Sequence, residues 1–344
     1  MVKKINLALQ GGGAHGAFTW GVLDRVLQED DIEFAAISGT SAGALNAAAL
    51  KAGWVEGGRE GARENLKWFW EQVGAITDER WQDWLAGLTP SAPAVAKALE
   101  YSPLYQAFDM TTRLLSPYIY GPAMQNPLAR IVEDFHFDNV CCPEGPTLNI
   151  CATNVRTGKI RVFSGEEVSP ESLMASACLP SLFKAVELAD PKTGQVEAFW
   201  DGGYTGNPAL FPLFGNELPD DILVININPL QRDVLPTDPQ AIQNRINEIS
   251  FNSSLLRELR AINFVKRLIK QGTVPQGSMK NVLVHMISDD RLMNELNVAT
   301  KTIPTPVILA RLKEAGTEAA DTFLKAHKGD LNKRSTVNLE EMFS

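Results

Sequence analysis

The sequence predicts an α/β fold with parallel strand pairing, and two early stretches carry that prediction. In the first, residues 5–9 read as a buried strand and residues 10–16 as a glycine loop. Residues 17–28 follow as a helix, from the apolar spacing of Phe18, Val22, Val26 and the Leu23/Leu27 pair, and residues 35–38 form a second strand. A strand–helix–strand unit implies parallel pairing with a right-handed crossover. In the second stretch, an apolar run stops at Gly39 and an alanine-rich helical pattern begins after Ser41. This Gly39-Thr40-Ser41-Ala42-Gly43 segment has the G-x-S-x-G form of a nucleophile elbow, with Ser41 at a strand-to-helix turn. The new helix points its N-terminal amides and positive dipole end at Ser41, which favours an oxyanion there. Taken alone, the five residues also suit a tight turn in which Ser41 merely caps the helix.

The glycine loop Gln10-Gly11-Gly12-Gly13-Ala14-His15-Gly16 admits three readings. Gly11, Gly13 and Gly16 have dinucleotide-fingerprint spacing, but the next strand ends in Ser38-Gly39-Thr40-Ser41 rather than an acidic residue. A phosphate loop of the Gly-Lys-Ser/Thr kind lacks its lysine. The third reading is an oxyanion hole, because consecutive glycines leave amides bare and aimed at one point.

The remaining elements follow in order. Residues 54–89 read as helical and hold Trp54, Trp68, Trp70, Trp81 and Trp84, which suit helix packing on a sheet better than a lipid boundary. The proline-rich chain up to residue 127 breaks into short helices, and about 76–127 is a candidate lid or cap. Residues 147–153 and 160–163 read as a hairpin turning at Thr157-Gly158. A helix capped by Ser169, with Pro170 at its first position, stops before Pro180. Residues 183–188 and 197–200 read as two further strands. The second delivers Asp201 into the glycine-rich turn Asp201-Gly202-Gly203, where ligands and catalytic groups collect in open α/β sheets; the plainer role for Asp201 is capping that turn. Residues 222–228 form a strand ending in Asn-Pro, and a long helix runs from Asp238 to about Gln271 with a basic second half. That half suits a solvated face better than an anionic lipid surface. Residues 282–286 read as a strand, residues 306–324 as an amphipathic helix, and the last fifteen or so as loosely held. The elements interleave too evenly to place a boundary, so 1–344 reads as a single domain whose C-terminal part is helical from about 238.

Composition narrows the function. Hydrophobic content of 44% and charged content of 21% are ordinary for a soluble globular protein. A net charge of −9 argues against nucleic acid as a partner. Cys141, Cys142, Cys151 and Cys178 form no disulfide framework and read as reduced thiols of a cytoplasmic protein, with contact to a membrane or lipid inclusion left open. The four histidines are scattered without ligand spacing, so no metal and no cofactor is expected.

Three separated blocks resemble the patatin-like lipid acyl hydrolases, and among them the bacterial patatin-like phospholipases. They are Gly11-Gly12-Gly13-Ala14-His15-Gly16, Gly39-Thr40-Ser41-Ala42-Gly43 and Asp201-Gly202-Gly203, with Ala175-Ser176-Ala177-Cys178-Leu179-Pro180 as a weaker fourth. The resemblance covers residues 5 to about 230. It implies a three-layer α/β sandwich with a mostly parallel central sheet flanked by helices. It also implies hydrolysis of lipid acyl esters, with Ser41 as nucleophile, Asp201 as base, and Gly11, Gly12 and Gly13 lining an oxyanion hole that the Ala42 amide completes. Gln10 and His15 stand where the family often has aspartate and arginine, so a fixed positive charge near the site is missing from this loop.

Three alternatives remain open. Ser41, Asp201 and His285 occur in the α/β-hydrolase order of a Ser-Asp-His triad, which suits a carboxylesterase or polyester depolymerase. The glycine loop could instead serve a nucleotide-binding module, or the chain a silent lipid-binding scaffold.

Overall fold

The computed structural model of the chain describes residues 2–75, 91–120, 126–275 and 277–344. Among these residues eight strands form one sheet: β1 (Lys3–Leu9), β2 (Ile32–Thr40), β3 (Thr147–Asn154), β4 (Ile160–Ser164), β5 (Val186–Asp190), β6 (Gln195–Asp201), β7 (Asp221–Asn226) and β8 (Leu283–Ser288). Their order is β5-β6-β3-β2-β1-β7-β8, with β4 paired to β3. The run from β3 through β2, β1 and β7 to β8 is parallel, and the pairings of β4, β5 and β6 are antiparallel.

Side chains alternate across the strands and so build two cores. Leu7, Leu9, Ile37, Leu223 and Ile225 face one, whereas Ala8, Ala36, Ile222 and Val224 face the other. The first core is covered by α1 (Gly16–Val26), α2 (Ala42–Val73) and a C-terminal helix (Pro306–His327), which bring Phe18, Leu23, Leu66, Leu309 and Leu312 onto the sheet. The second is covered by the long helix Pro239–Lys270, through Leu255, Leu259 and Ile262. The result is the expected three-layer sandwich: helices, a mostly parallel sheet, helices.

The described tryptophans of the tryptophan-rich stretch pack with the core. Trp20 and Trp70 stack with ring centroids 6.2 Å apart, and Trp54 and Trp68 pack against the same cluster. Trp81 and Trp84 lie outside the described residues, as do positions 76–90 and 121–125 of the expected cap. The described part of that segment contains α3 (Ala92–Glu100) and α4 (Pro103–Leu114).

The C-terminal segment is anchored, contrary to the expectation that it is loose. Leu331 and Leu339 are buried, and the Asn332 amide donates to Asp221 Oδ1 at 2.7 Å. Its apolar residues are spaced irregularly, and hence escape a reading based on periodicity. The same segment covers part of the basic half of the Pro239–Lys270 helix. Lys266 donates to Val282 O and Ser335 Oγ, Arg260 lies over the Phe343 ring, and Lys270 pairs with Glu340. No helix of the described residues is long and apolar enough to cross a membrane.

Candidate active site

The carboxyl ends of β1, β2 and β7 lie side by side, and the loops that leave them meet there. Ser41 follows β2 with φ 53° and ψ −122°, a left-handed conformation that a non-glycine residue adopts only when its surroundings hold it. The hold is visible. The Ser41 amide donates to Ser176 Oγ at 2.9 Å, and Ser176 Oγ in turn donates to Cys151 O at 2.6 Å. Ser38 and Thr40 hydroxyls donate to Ala209 O and Gly206 O, both at 2.6 Å, tying the elbow to the chain just after Asp201.

Strand register brings the carboxylate to the serine. Thr40 pairs with Cys151 on β3, and the next residue, Ala152, pairs with Asp201 on β6. Asp201 is fully buried; its Oδ1 accepts the Gly203 amide at 2.7 Å, so it does cap the turn. Its Oδ2 has no partner in hydrogen-bond geometry among the described residues. Burial pushes the Asp201 pKa up to about 6, with the Gly203 amide and the Ser41 hydroxyl opposing the rise. The hydroxyl is thus near enough to act on the carboxyl, although the two are not in full hydrogen-bond geometry.

The glycine loop after β1 packs against this pair. A Cβ on Gly11 would stand 2.7 Å from both Ser41 Cβ and Thr40 O, so only glycine permits the approach. One expectation needs correction here. Gly11 cannot offer its amide to a substrate, because that amide donates to Asn207 Oδ1 at 2.7 Å. The Gly12, Gly13 and Ala42 amides have no acceptor among the described residues, and all three residues line the same cavity as Ser41 and Asp201. That cavity measures about 440 Å³ and is walled largely by apolar side chains, including Phe69, Trp70 and Phe251. Tyr105, Phe108 and Thr112 of α4 also line it.

Several residues in the site's frame carry no motif. Gln10 is buried; its Oε1 accepts from the Ile227 and Asn228 amides and from Asn228 Nδ2, and its Nε2 donates to Asn207 O and Asn252 Oδ1. Asn207 and Asn228 both bond the Gly11 backbone. Two Asn-Pro pairs placed just beyond strands are the one sequence hint of this network.

The histidines do not join the pair. His15 is buried, bonded through Nε2 to Thr300 Oγ1, with its pKa driven well below the usual value by burial and by the nearby Lys301 charge. It is therefore a neutral group and does not replace an arginine. His285, the candidate third member of a triad, bonds Asp221 Oδ1 at 2.9 Å and Thr336 Oγ1 at 3.1 Å. Asp221 opens β7, at the opposite end of the sheet from Ser41, and His285 does not line the cavity. The triad is excluded.

A family profile described as patatin-like phospholipase matches residues 7–214. A search of curated proteins returns no match. Among solved structures, the chain is similar to VipD from Legionella pneumophila, with 14% identity and a TM-score of 0.42, over 94% of this chain and 67% of that one. It is also similar to the full-length ExoU–SpcU complex from Pseudomonas aeruginosa, with 14% identity and a TM-score of 0.30, over 94% of this chain and 53% of that one. A second ExoU–SpcU structure gives 17% identity and a TM-score of 0.29, over 95% and 61%. The chain thus spans about half to two thirds of the length of these structures. Because the profile spans more than half of the sequence, from β1 through the turn that follows β6, this chain belongs to the patatin-like phospholipase family.

Proposed function

We propose that this protein is a serine lipid acyl hydrolase that cleaves carboxylic esters through a Ser41–Asp201 dyad. The observation that carries the reading is the meeting of a strained serine, a buried carboxylate with one unpartnered oxygen, and three bare amides at one apolar cavity. Family membership supports lipid hydrolysis as the class of chemistry.

In the first half-reaction the Ser41 hydroxyl attacks the ester carbonyl and passes its proton to Asp201. The carbonyl oxygen becomes an oxyanion facing the amides of Gly12, Gly13 and Ala42. As the tetrahedral intermediate collapses, Asp201 returns the proton to the departing alkoxide, leaving an acyl-serine. Water then attacks the acyl carbon, again losing a proton to Asp201, and the fatty acid leaves as Ser41 regains its hydrogen. An aspartate at its reference pKa of about 3.9 is a poor base; the raised value of about 6 brings it nearer the working pH.

Substrate contact at a membrane or lipid inclusion and a cytoplasmic location belong to the same reading. The test is hydrolysis of phospholipid and neutral-ester panels by wild type, Ser41→Ala and Asp201→Asn. Ester cleavage by wild type and its loss in both variants is the expected result. Full activity in Ser41→Ala would refute the dyad, and binding without cleavage by wild type would favour a scaffold.

A further inference from the structure

The glycine loop lacks the positive charge that its sequence position suggests, yet the cavity is not without a cation. Lys301 lines it, on the short helix Val298–Thr302, far beyond the segment matched by the family profile. It is the only basic residue among the described residues that line the cavity. Its helix is packed directly on the glycine loop: a Cβ at Gly13 would overlap the Lys301 carbonyl. Lys301 Nζ donates to Asn228 Oδ1 at 2.7 Å, and Asn228 Nδ2 donates to Gly11 O at 2.9 Å. The ammonium is therefore coupled to the loop that lines the cavity together with Ser41.

We propose that Lys301 is the substrate-reading cation of this cavity, taking an anionic phosphate or carboxylate oxygen borne by the ester that reacts at Ser41. The inference rests on the hydrolase reading above and deepens it.

Three observations carry it. First, Lys301 has one neutral hydrogen-bond partner and no carboxylate within ion-pair distance among the described residues, so two of its three N–H groups are unassigned. Glu248, whose charge supports it from a distance, is already paired with Arg232 and Arg245. Second, the enclosed ammonium is destabilised by burial, which lowers its pKa to about 8, and an anion in the cavity would relieve that penalty. Third, His15, the basic residue within the loop itself, is held neutral by burial and partly by Lys301 itself. A cation at an apolar, partly enclosed cavity, with no carboxylate within ion-pair distance among the described residues, discriminates between charged and neutral ligands.

The experiment compares three soluble esters of the same acyl chain: dihexanoyl phosphatidylglycerol, a hexanoyl ester of a hydroxy acid with a free carboxylate, and neutral dihexanoylglycerol. Each is assayed with wild type, Lys301→Met and Lys301→Arg. Lys301→Met should lose about 10- to 100-fold more kcat/KM on an anionic ester than on the neutral one, as expected for removal of a charge-assisted hydrogen bond. The loss should appear mainly in KM, and Lys301→Arg should restore most of the selectivity. Which anionic ester suffers identifies phosphate or carboxylate as the group read. Equal losses on all three esters, or none, overturn the proposal. Wild type that cleaves only the neutral ester also overturns it while leaving the hydrolase reading intact, whereas wild type that cleaves none of the three fails that earlier reading instead.

Discussion

If Asp201 is the base proposed above, it sets stability and activity against each other, and the balance can be measured. The folded chain holds this carboxyl in a fully buried site with a pKa near 6, against 3.8 for the free group. Between those values the folded chain keeps a proton that the unfolded chain has released, so stability falls as pH rises across the window and is level above it. A shift of about two pK units corresponds to roughly 3 kcal/mol. Asp201→Asn keeps the acceptor for the Gly203 amide and removes the charge. It should therefore be more stable than wild type at pH 8 by up to about 3 kcal/mol, with the advantage vanishing below about pH 4. The assay is urea unfolding of both proteins at a series of pH values. Activity should move the other way. Hydrolysis of a soluble ester by wild type should rise through an apparent pKa near 6, and the variant should lose about 10³-fold or more. A variant that is no more stable at pH 8, or a wild-type rate independent of pH between 5 and 7, would refute the reasoning.

Other consequences follow from named contacts. Gly11→Ala places a Cβ against Ser41 and Thr40, and should cost more than 100-fold in kcat on a soluble ester while the protein remains folded by circular dichroism. Gln10→Leu strips the acceptor from the Ile227 and Asn228 amides and should destabilise the fold by about 2–6 kcal/mol in denaturant titration. His285→Ala should leave ester hydrolysis by the folded protein within about threefold of wild type while lowering the melting temperature, since it breaks a buried bond to Asp221 remote from the site. Leu339→Ala should cost about 2–4 kcal/mol if the C-terminal segment is anchored as described.

The parts of the site that were legible in sequence are those where chain approaches chain. A Cβ at Gly43 would overlap the Leu9 carbonyl, so the elbow can only be written with a small residue there. The glycine loop and the Asp201 turn are readable for the same reason, and the βαβ unit follows from its apolar periods. Strand order is different, because nothing local says that β6 pairs with β3, although that register is what carries Asp201 to Ser41. The bare glycines also misled in one respect. Sequence marks amides that lack side-chain cover, but it does not say which is taken, and Asn207 takes that of Gly11. Lys301 was invisible, since a lysine on a short C-terminal helix has no spacing relative to the motifs, and Asn228 was marked only by the Asn-Pro pair that ends its strand.

The most direct measurement is covalent labelling with a fluorophosphonate, which reacts with an activated serine, followed by peptide mapping. Wild type should carry one adduct, on Ser41, formed more slowly below about pH 6, and Ser41→Ala should carry none. An adduct on another serine, or an unreactive Ser41 in a folded protein that still hydrolyses esters, contradicts the account.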